Sequence, residues 1–201
     1  METDDYDAQS VHSLLIHRPS GAFAGTVRII VPVPSTGYSL PISKVCTESL
    51  PFPRQTTAEI SRFSISKSFR RRCTDGLYPD EQEDGSNEER ADRLDKRLIP
   101  TMAIGLMREI VRMSSEQGVT HWCAVMMPSL LRLLARLGIH FSPLGPLVDY
   151  HGKRQPCFRH CGEMLEQIRA EQTEIWAFLT DDGRVRPSAR WRAPPASGSG
   201  R

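Results

Sequence analysis

The residues best equipped for chemistry in this chain of 201 residues lie in one short run, "AEISRFSISKSFRRR", Ala58 to Arg72. Glu59 and Arg62 sit among β-branched and aromatic residues, and Lys67, Arg70, Arg71 and Arg72 follow. A carboxyl and a guanidinium in such a setting either serve a site through their charge and titration or are satisfied by ion pairs elsewhere. Side chains alternate along a regular strand, so Glu59 would share a face with Ser61, Phe63 and Ile65, while Arg62 would lie with Ile60 and Ser64. The odd separation puts the pair on opposite faces unless a β-bulge re-aims one of them. Two further pieces accompany it. Arg28 in "GTVRII" is a second guanidinium, and Asp4 and Asp7 in "METDDYD" share one face of a helical turn.

Other reactive residue types are more scattered. Cys157, His160 and Cys161, with His151 nearby, have metal-ligand chemistry but lack a second paired knuckle at finger spacing, so no metal is expected. Cys73 has arginines beside it and Cys123 lies in an apolar run, yet neither has a neighbouring base that would make it a nucleophile. His121 and His140 read as residues that end or line buried strands. Leu130, Leu131, Leu133, Leu134 and Leu137 recur at helical spacing, which reads as core packing before it reads as the wall of an acyl tunnel.

The elements that must position these groups follow from periodicity. Residues 27–33, "VRIIVPV", alternate and end in prolines, which predicts a strand. A proline-punctuated connection leads to a second strand over 57–66. Residues 74–95 hold nine acids and few apolar side chains, which predicts a mobile acidic loop. Helical spacing from Lys96 to Gln117, stopped by Gly118, predicts a long amphipathic helix. "THWCAVM" reads as a buried strand, "PSLLRLLARLG" as a helix, "IHFSPLGPLVDYHG" as extended segments, and 163–179 as a last helix. Residues 181–201 have the composition of a disordered tail. The sum is one domain over 1–180, α/β (α+β), with a mixed central β-sheet flanked by helices.

Composition narrows the function classes. A formal charge of +2 is too mild for a nucleic-acid binder. Five cysteines without dense spacing point to reduced thiols and a cytoplasmic protein. The acidic first residues are unlike a signal peptide, and no apolar run reaches the roughly 20 residues of a transmembrane segment.

Glu2, Asp4 and Asp7, then Arg28, then "EISRF" with Glu59, Ser61, Arg62 and Phe63, form an ordered set that resembles the acyl-homoserine-lactone synthases of the GNAT superfamily. The stretch "WCAVMMPSLLRLLARLGIHFSPLGPLVDYHGKRQPC" is similar to their N-acyl amino acid synthase relatives, especially the acyltransferases associated with PEP-CTERM/exosortase systems. The resemblance spans Glu2 to Arg169. It implies a GNAT-like acyl-CoA N-acyltransferase fold and transfer of a fatty acyl group from acyl carrier protein to the amine of an amino acid or related acceptor. Acyl-phosphopantetheine would be the donor substrate, and no bound cofactor is implied. Glu59 would accept or relay the amine proton or orient the amine. Arg28 and Arg62 would order the acidic groups and the acceptor, with Asp4 and Asp7 as their electrostatic partners and Ser61 and Phe63 beside them.

Coenzyme A-dependent GNAT enzymes cradle the donor pyrophosphate with a glycine-containing loop after this strand. Here that place reads "SKSFRRRCTDG", without a G-x-G core. Lys67, Arg70, Arg71 and Arg72 would instead engage the phosphopantetheine phosphate and the acidic surface of the carrier protein, or form a solvated turn balanced by the acidic stretch. Relatives carry additional residues before the acidic motif, and the chain begins almost at it, which raises the expectation of a truncated front end. An inactive carrier-protein-binding module and a coenzyme A-dependent GNAT acetyltransferase are the alternatives.

Overall fold

The computed structural model describes residues 3–46, 51–69 and 85–188; for residue 67 and residues 85–98 it describes the backbone. The strands are β1 Ser10–His17, β2 Ala22–Ile30, β3 Thr57–Ile65, β4 His121–Met126, β5 Ser142–Pro143, β6 Val148–Asp149 and β7 Lys153–His160. The helices are α1 Gly85–Gln117, α2 Pro128–Arg136, α3 Cys161–Glu171 and α4 Thr173–Thr180. The seven-stranded sheet runs β1-β2-β3-β4-β7-β5, with β6 pairing β7. Every pairing is antiparallel except β3 with β4.

The two faces of the sheet are covered differently. Val27, Ile29, Ala58, Ile60, Trp122 and Ala124 turn toward the helices and pack with Met107, Ile110 and Val111 of α1 and Met164 and Ile168 of α3. Trp122 donates its indole N–H to Ser114 Oγ at 2.8 Å, so the largest core side chain leaves no orphan donor. The opposite face carries a smaller apolar cluster of Ile30, Leu40, Ile42, Cys123 and Leu144, contributed largely by connecting segments. This loop-covered face holds the candidate site.

Several sequence expectations shift. The first expected strand, 27–33, is instead β2, Ala22–Ile30, and it is preceded by β1, which periodicity missed. In "SVHSLLIH" Val11 and Leu15 pack on the core while Leu14 and Ile16 are exposed, so apolar residues point both ways and the period-two signal is lost. Residues 85–95, read as loop, are the start of α1. Their Glu, Arg, Ala and Leu content supports helix through local propensity without requiring burial. Residues 74–84 of the expected acidic loop and 189–201 of the expected tail lie outside the described residues. The last helix is two, α3 and α4, broken at Gln172. β7, "KRQPCFRH", is too polar to read as a strand, and its Pro156 pairs with Val125 despite lacking an N–H.

Candidate active site

β3 and β4 pair in parallel from Thr57 with His121 to Ile60 with Ala124, and the ladder between them ends there. Where they part, a cavity of about 360 Å³ opens on the loop-covered face. Glu59, Ser61 and Arg62 of β3 and Arg28 of β2 form one wall. Asp4, Asp5 and Tyr6 come from the N-terminal segment, Pro41 and Lys44 from the turn after β2, and Tyr150, His151 and Arg154 from the β6–β7 hairpin.

The expected bulge is present and explains how Glu59 and Arg62 reach one cavity. Thr26 pairs with Ser64 and Arg28 with Ser61, so Val27 alone opposes both Arg62 and Phe63. Arg62 absorbs the extra residue with φ 50°, a left-handed conformation uncommon outside glycine. The alternation resets at this point. Before the bulge Ala58 and Ile60 face the helices; after it Phe63 and Ile65 do. Arg62 therefore joins Glu59 and Ser61 on the cavity face. Phe63, expected beside the substrate, packs against the helix-side core and is not in the cavity wall. His151 also has positive φ, 51°, so two strained non-glycine residues line this one cavity.

Asp4, Asp7, Arg28, Ser61 and Arg62 assemble into a single network. Arg28 donates through Nη1 to Asp4 Oδ1 and Oδ2 at 2.9 and 2.8 Å and to Asp7 Oδ1 at 2.8 Å, and through Nε to Ser61 Oγ at 2.7 Å. Arg62 reaches the same acids, with Nη1 3.0 Å from Asp7 Oδ1 and Nη2 3.3 Å from Asp4 Oδ2. The acidic turn is braced internally: the Asp4 N–H donates to Asp7 Oδ2 at 3.0 Å and the Tyr6 N–H to Asp4 Oδ1 at 3.0 Å. The Asp4 N–H and the two guanidinium groups hold the Asp7 carboxyl below its usual range, against a smaller opposing effect of burial.

Glu59 stands apart from that network. It is 5% exposed and accepts the Ile42 N–H at Oε2, 2.7 Å away. The donor is placed by sequence: Pro41 opens a 3-10 turn over Pro41–Lys44, and Leu40 and Ile42 bury themselves in the smaller cluster, pressing the turn onto β3. Burial pushes the Glu59 carboxyl up to about 8, against the downward pull of the Ile42 N–H and of the Arg28 and Lys44 charges. A carboxyl held protonated near neutrality inside a cavity suits proton exchange with a substrate.

The other candidates separate clearly. Arg70, Arg71, Arg72 and Cys73 lie outside the described residues; Lys67 opens a short turn directly after β3, and its side chain is not described. Cys123, Cys157 and Cys161 are buried thiols whose burial pushes their pKa up, for Cys157 to about 12, which suits core packing and opposes thiolate chemistry. No group of three or more His, Cys, Asp or Glu among the described residues is arranged to hold a metal. His160 caps α3 by accepting the Glu163 N–H at 3.1 Å. Leu134 is buried in the helix-side core, with Leu130, Leu131, Leu133 and Leu137 packed against it. His140, expected in a buried strand, is an exposed coil residue. Lys44, Tyr150 and Arg154 were not anticipated, because they come from a connecting segment and a hairpin whose sequences carry turn signals and no motif; Tyr6 lies inside the acidic motif without having been singled out, and His151 was weighed only beside the metal-ligand residue types.

The fold and an N-terminal match point to the same class. Residues 1–78 match the family described as an acetyltransferase (GNAT) domain, and the mixed sheet with flanking helices is the GNAT-like acyltransferase fold. Within that class the chain is similar to TofI, solved in a ternary complex with an inhibitor and MTA, at 17% identity and a TM-score of 0.55, covering 84% of this chain and 74% of that one. It is similar to BjaI, a CoA-dependent acyl-homoserine lactone synthase solved with MTA, at 18% identity and a TM-score of 0.53, covering 96% of this chain and 74% of the other. FeeM, an N-acyl amino acid synthase from uncultured soil microbes, aligns at 18% identity and a TM-score of 0.50 over 75% of this chain and 70% of its own. At these identities the likeness is one of fold. No curated protein matches the chain by sequence. Among the described residues no helix is long and apolar enough to cross a membrane.

Proposed function

We propose that the protein is an N-acyltransferase that moves a fatty acyl group from acyl carrier protein to the amine of an amino acid or related acceptor. The observation that carries this reading is Glu59: a buried carboxyl with a raised pKa, in the wall of a cavity that opens where two parallel strands part. Amide formation from a thioester needs a group that takes a proton from the attacking nitrogen, and Glu59 is the carboxyl placed and tuned for it. The neutral amine attacks the thioester carbonyl, the C–N bond forms and the C–S bond breaks. The amine proton passes to the ionised form of Glu59, directly or through one water, and from there to the departing sulfur, which leaves as the thiol. No covalent enzyme intermediate is involved. The network of Arg28 and Arg62 with Asp4 and Asp7 fixes the N-terminal segment over the site so that Tyr6 and Asp5 complete the cavity wall.

Arg70, Arg71, Arg72 and Lys67, following β3, form the donor-binding side of this reading and would meet the carrier protein's acidic surface through charge. A role beside PEP-CTERM/exosortase systems, supported by the sequence resemblance, and a cytoplasmic location, supported by five cysteines without dense spacing, belong to the same proposal. BjaI is a CoA-dependent synthase, which keeps an acyl-CoA donor as the second reading. The decisive experiment incubates the full chain with long-chain acyl carrier protein or the matching acyl-CoA and a pool of amino acids, with mass spectrometry for N-acyl products. Product from the carrier-protein donor supports the proposal, and product from CoA alone replaces the donor. Absence of product from both overturns the enzymatic reading in favour of an inactive binding module.

A further inference from the structure

Four cationic side chains line the cavity: Arg28, Lys44, Arg62 and Arg154. Arg28 and Arg62 are committed to Asp4 and Asp7. Lys44 and Arg154 are not so committed, since neither forms an ion pair with an acid of the described residues. The Lys44 ammonium rests 5.2 Å from the centroid of the Tyr6 ring, a contact that leaves its charge unneutralised. Lys44 also lies close enough to Glu59 for its charge to pull on that carboxyl. Arg154 is half-buried on β7, where it pairs with Val148, and it lines the cavity beside Tyr150 and the strained His151. Among the acids of the lining, Asp4 is neutralised by the two arginines and Glu59 is buried. Asp5 is exposed and has no ion-pair partner among the described residues.

We propose that Lys44 and Arg154 recognise a carboxylate on the acceptor, so that the site selects a zwitterionic amino acid over an amine that lacks the acid group. The assignment rests on the N-acyltransferase reading and specifies its acceptor. An ammonium and a guanidinium that no acid of the described residues pairs with leave a positive field on the cavity wall that an anionic ligand group completes. Asp5 offers the opposite charge for the incoming ammonium before it loses its proton. At about 360 Å³ the cavity is at the small end of ligand sites, which fits an amino acid together with the reacting end of a thioester. The same field disfavours an acceptor whose only additional charge is positive.

The test compares binding of each common amino acid with binding of its own carboxamide by titration calorimetry on the full chain, then repeats the best pair with Lys44→Gln and Arg154→Gln. The expected result is that at least one amino acid binds about tenfold or more tightly than its carboxamide, and that each variant collapses this ratio toward one. The exposed Lys44 and half-buried Arg154 make folded variants the expectation, checked by circular dichroism. Equal binding of acid and carboxamide, no amino acid binding, or a ratio that survives both substitutions overturns the assignment. Acylation assays run in parallel keep the two ideas apart. Acylation of carboxamides as readily as acids defeats the carboxylate assignment alone, whereas discriminating binding without any acyl transfer defeats the enzymatic reading alone.

Discussion

Asp7 and Glu59 both lie within reach of the Arg28 charge, yet their carboxyls are driven in opposite directions. Asp7 accepts a backbone N–H and two guanidinium groups, its side chain is 26% exposed, and its pKa falls. Glu59 accepts one backbone N–H at 5% exposure, and its pKa rises. Burial sets the sign. Where water and several donors reach a carboxylate, the charged form is favoured; where one donor stands against nearly complete desolvation, the neutral form wins. Two carboxyls set this far apart can divide the labour of one site, one a fixed negative anchor and the other a proton carrier.

Removing the proton carrier is expected to have the largest effect. Glu59→Gln keeps the shape and an acceptor for the Ile42 N–H, so turnover should fall by about 10²- to 10⁴-fold while the fold persists. Wild-type turnover should rise with pH through about 8 as Glu59 becomes able to accept a proton, and residual activity of the variant should lose that step. Stability moves the other way. Because the folded pKa is above the ordinary 4.5, the native state holds a proton that the unfolded chain releases. The Glu59 contribution is therefore complete below about 4.5 and declines as pH rises through about 8, by up to about 5 kcal/mol. Denaturant titrations across that window should show the decline in wild type and not in Glu59→Gln. An unchanged pH profile of both stability and turnover in the variant would remove Glu59 from the mechanism.

The anchor side of the comparison is tested at Arg28. Its side chain is 5% exposed, and Arg28→Met takes the donor from the Ser61 hydroxyl and leaves Asp4 and Asp7 to Arg62 and the N–H groups of their own turn. Removing one member of a fully buried pair costs about 3 to 5 kcal/mol, but water reaches these aspartates, so about 2 kcal/mol is expected. For a chain of this size that lowers Tm by roughly 4 to 8 °C. A smaller effect is expected for Asp7→Asn, confined to pH values above the usual aspartate range, since a lowered pKa contributes stability there and loses it as pH falls. Added salt should narrow the difference between Asp7→Asn and wild type. A salt-independent difference would assign Asp7 a role in packing instead of charge.

The sequence was most informative where side-chain chemistry was spaced in order, and least where the chain's path had to be known. Asp4, Asp7, Arg28, Ser61 and Arg62 are five polar residues from three separate segments, and it was the resemblance to the acyl-homoserine-lactone synthases, carried by their order along the chain, that grouped them. Glu59 and Arg62 were legible as a conflict, two charged groups at odd spacing, and the bulge that resolves it was the physical remedy available. Phe63 was misplaced for the same reason: it was carried with the motif, whereas the bulge that brings Arg62 in turns Phe63 out. Lys44 and Arg154 were illegible, since nothing local to "PISK" or "GKRQ" shows that both turns fold back over β3. β1 and β7 were missed because exposed Leu14 and Ile16 blur alternation in one and charged residues with Pro156 obscure the other.

The subtlest effect concerns the bulge itself. Arg62 makes two ion-pair contacts with acids of the described residues at φ 50°, a backbone state that costs a non-glycine residue on the order of 1 kcal/mol. Arg62→Gly removes both together, so the strain relieved should offset much of the lost pairing, leaving stability within about 1 kcal/mol of wild type. Arg62→Ala keeps the strain and loses the pairs, and should be the less stable of the two. Both variants should lose activity alike if Arg62 acts through its guanidinium. Equal stability of the two would mean that the turn at Arg62 relaxes without cost, and the bulge would then be a consequence of the ion pairs and not the device that aims them.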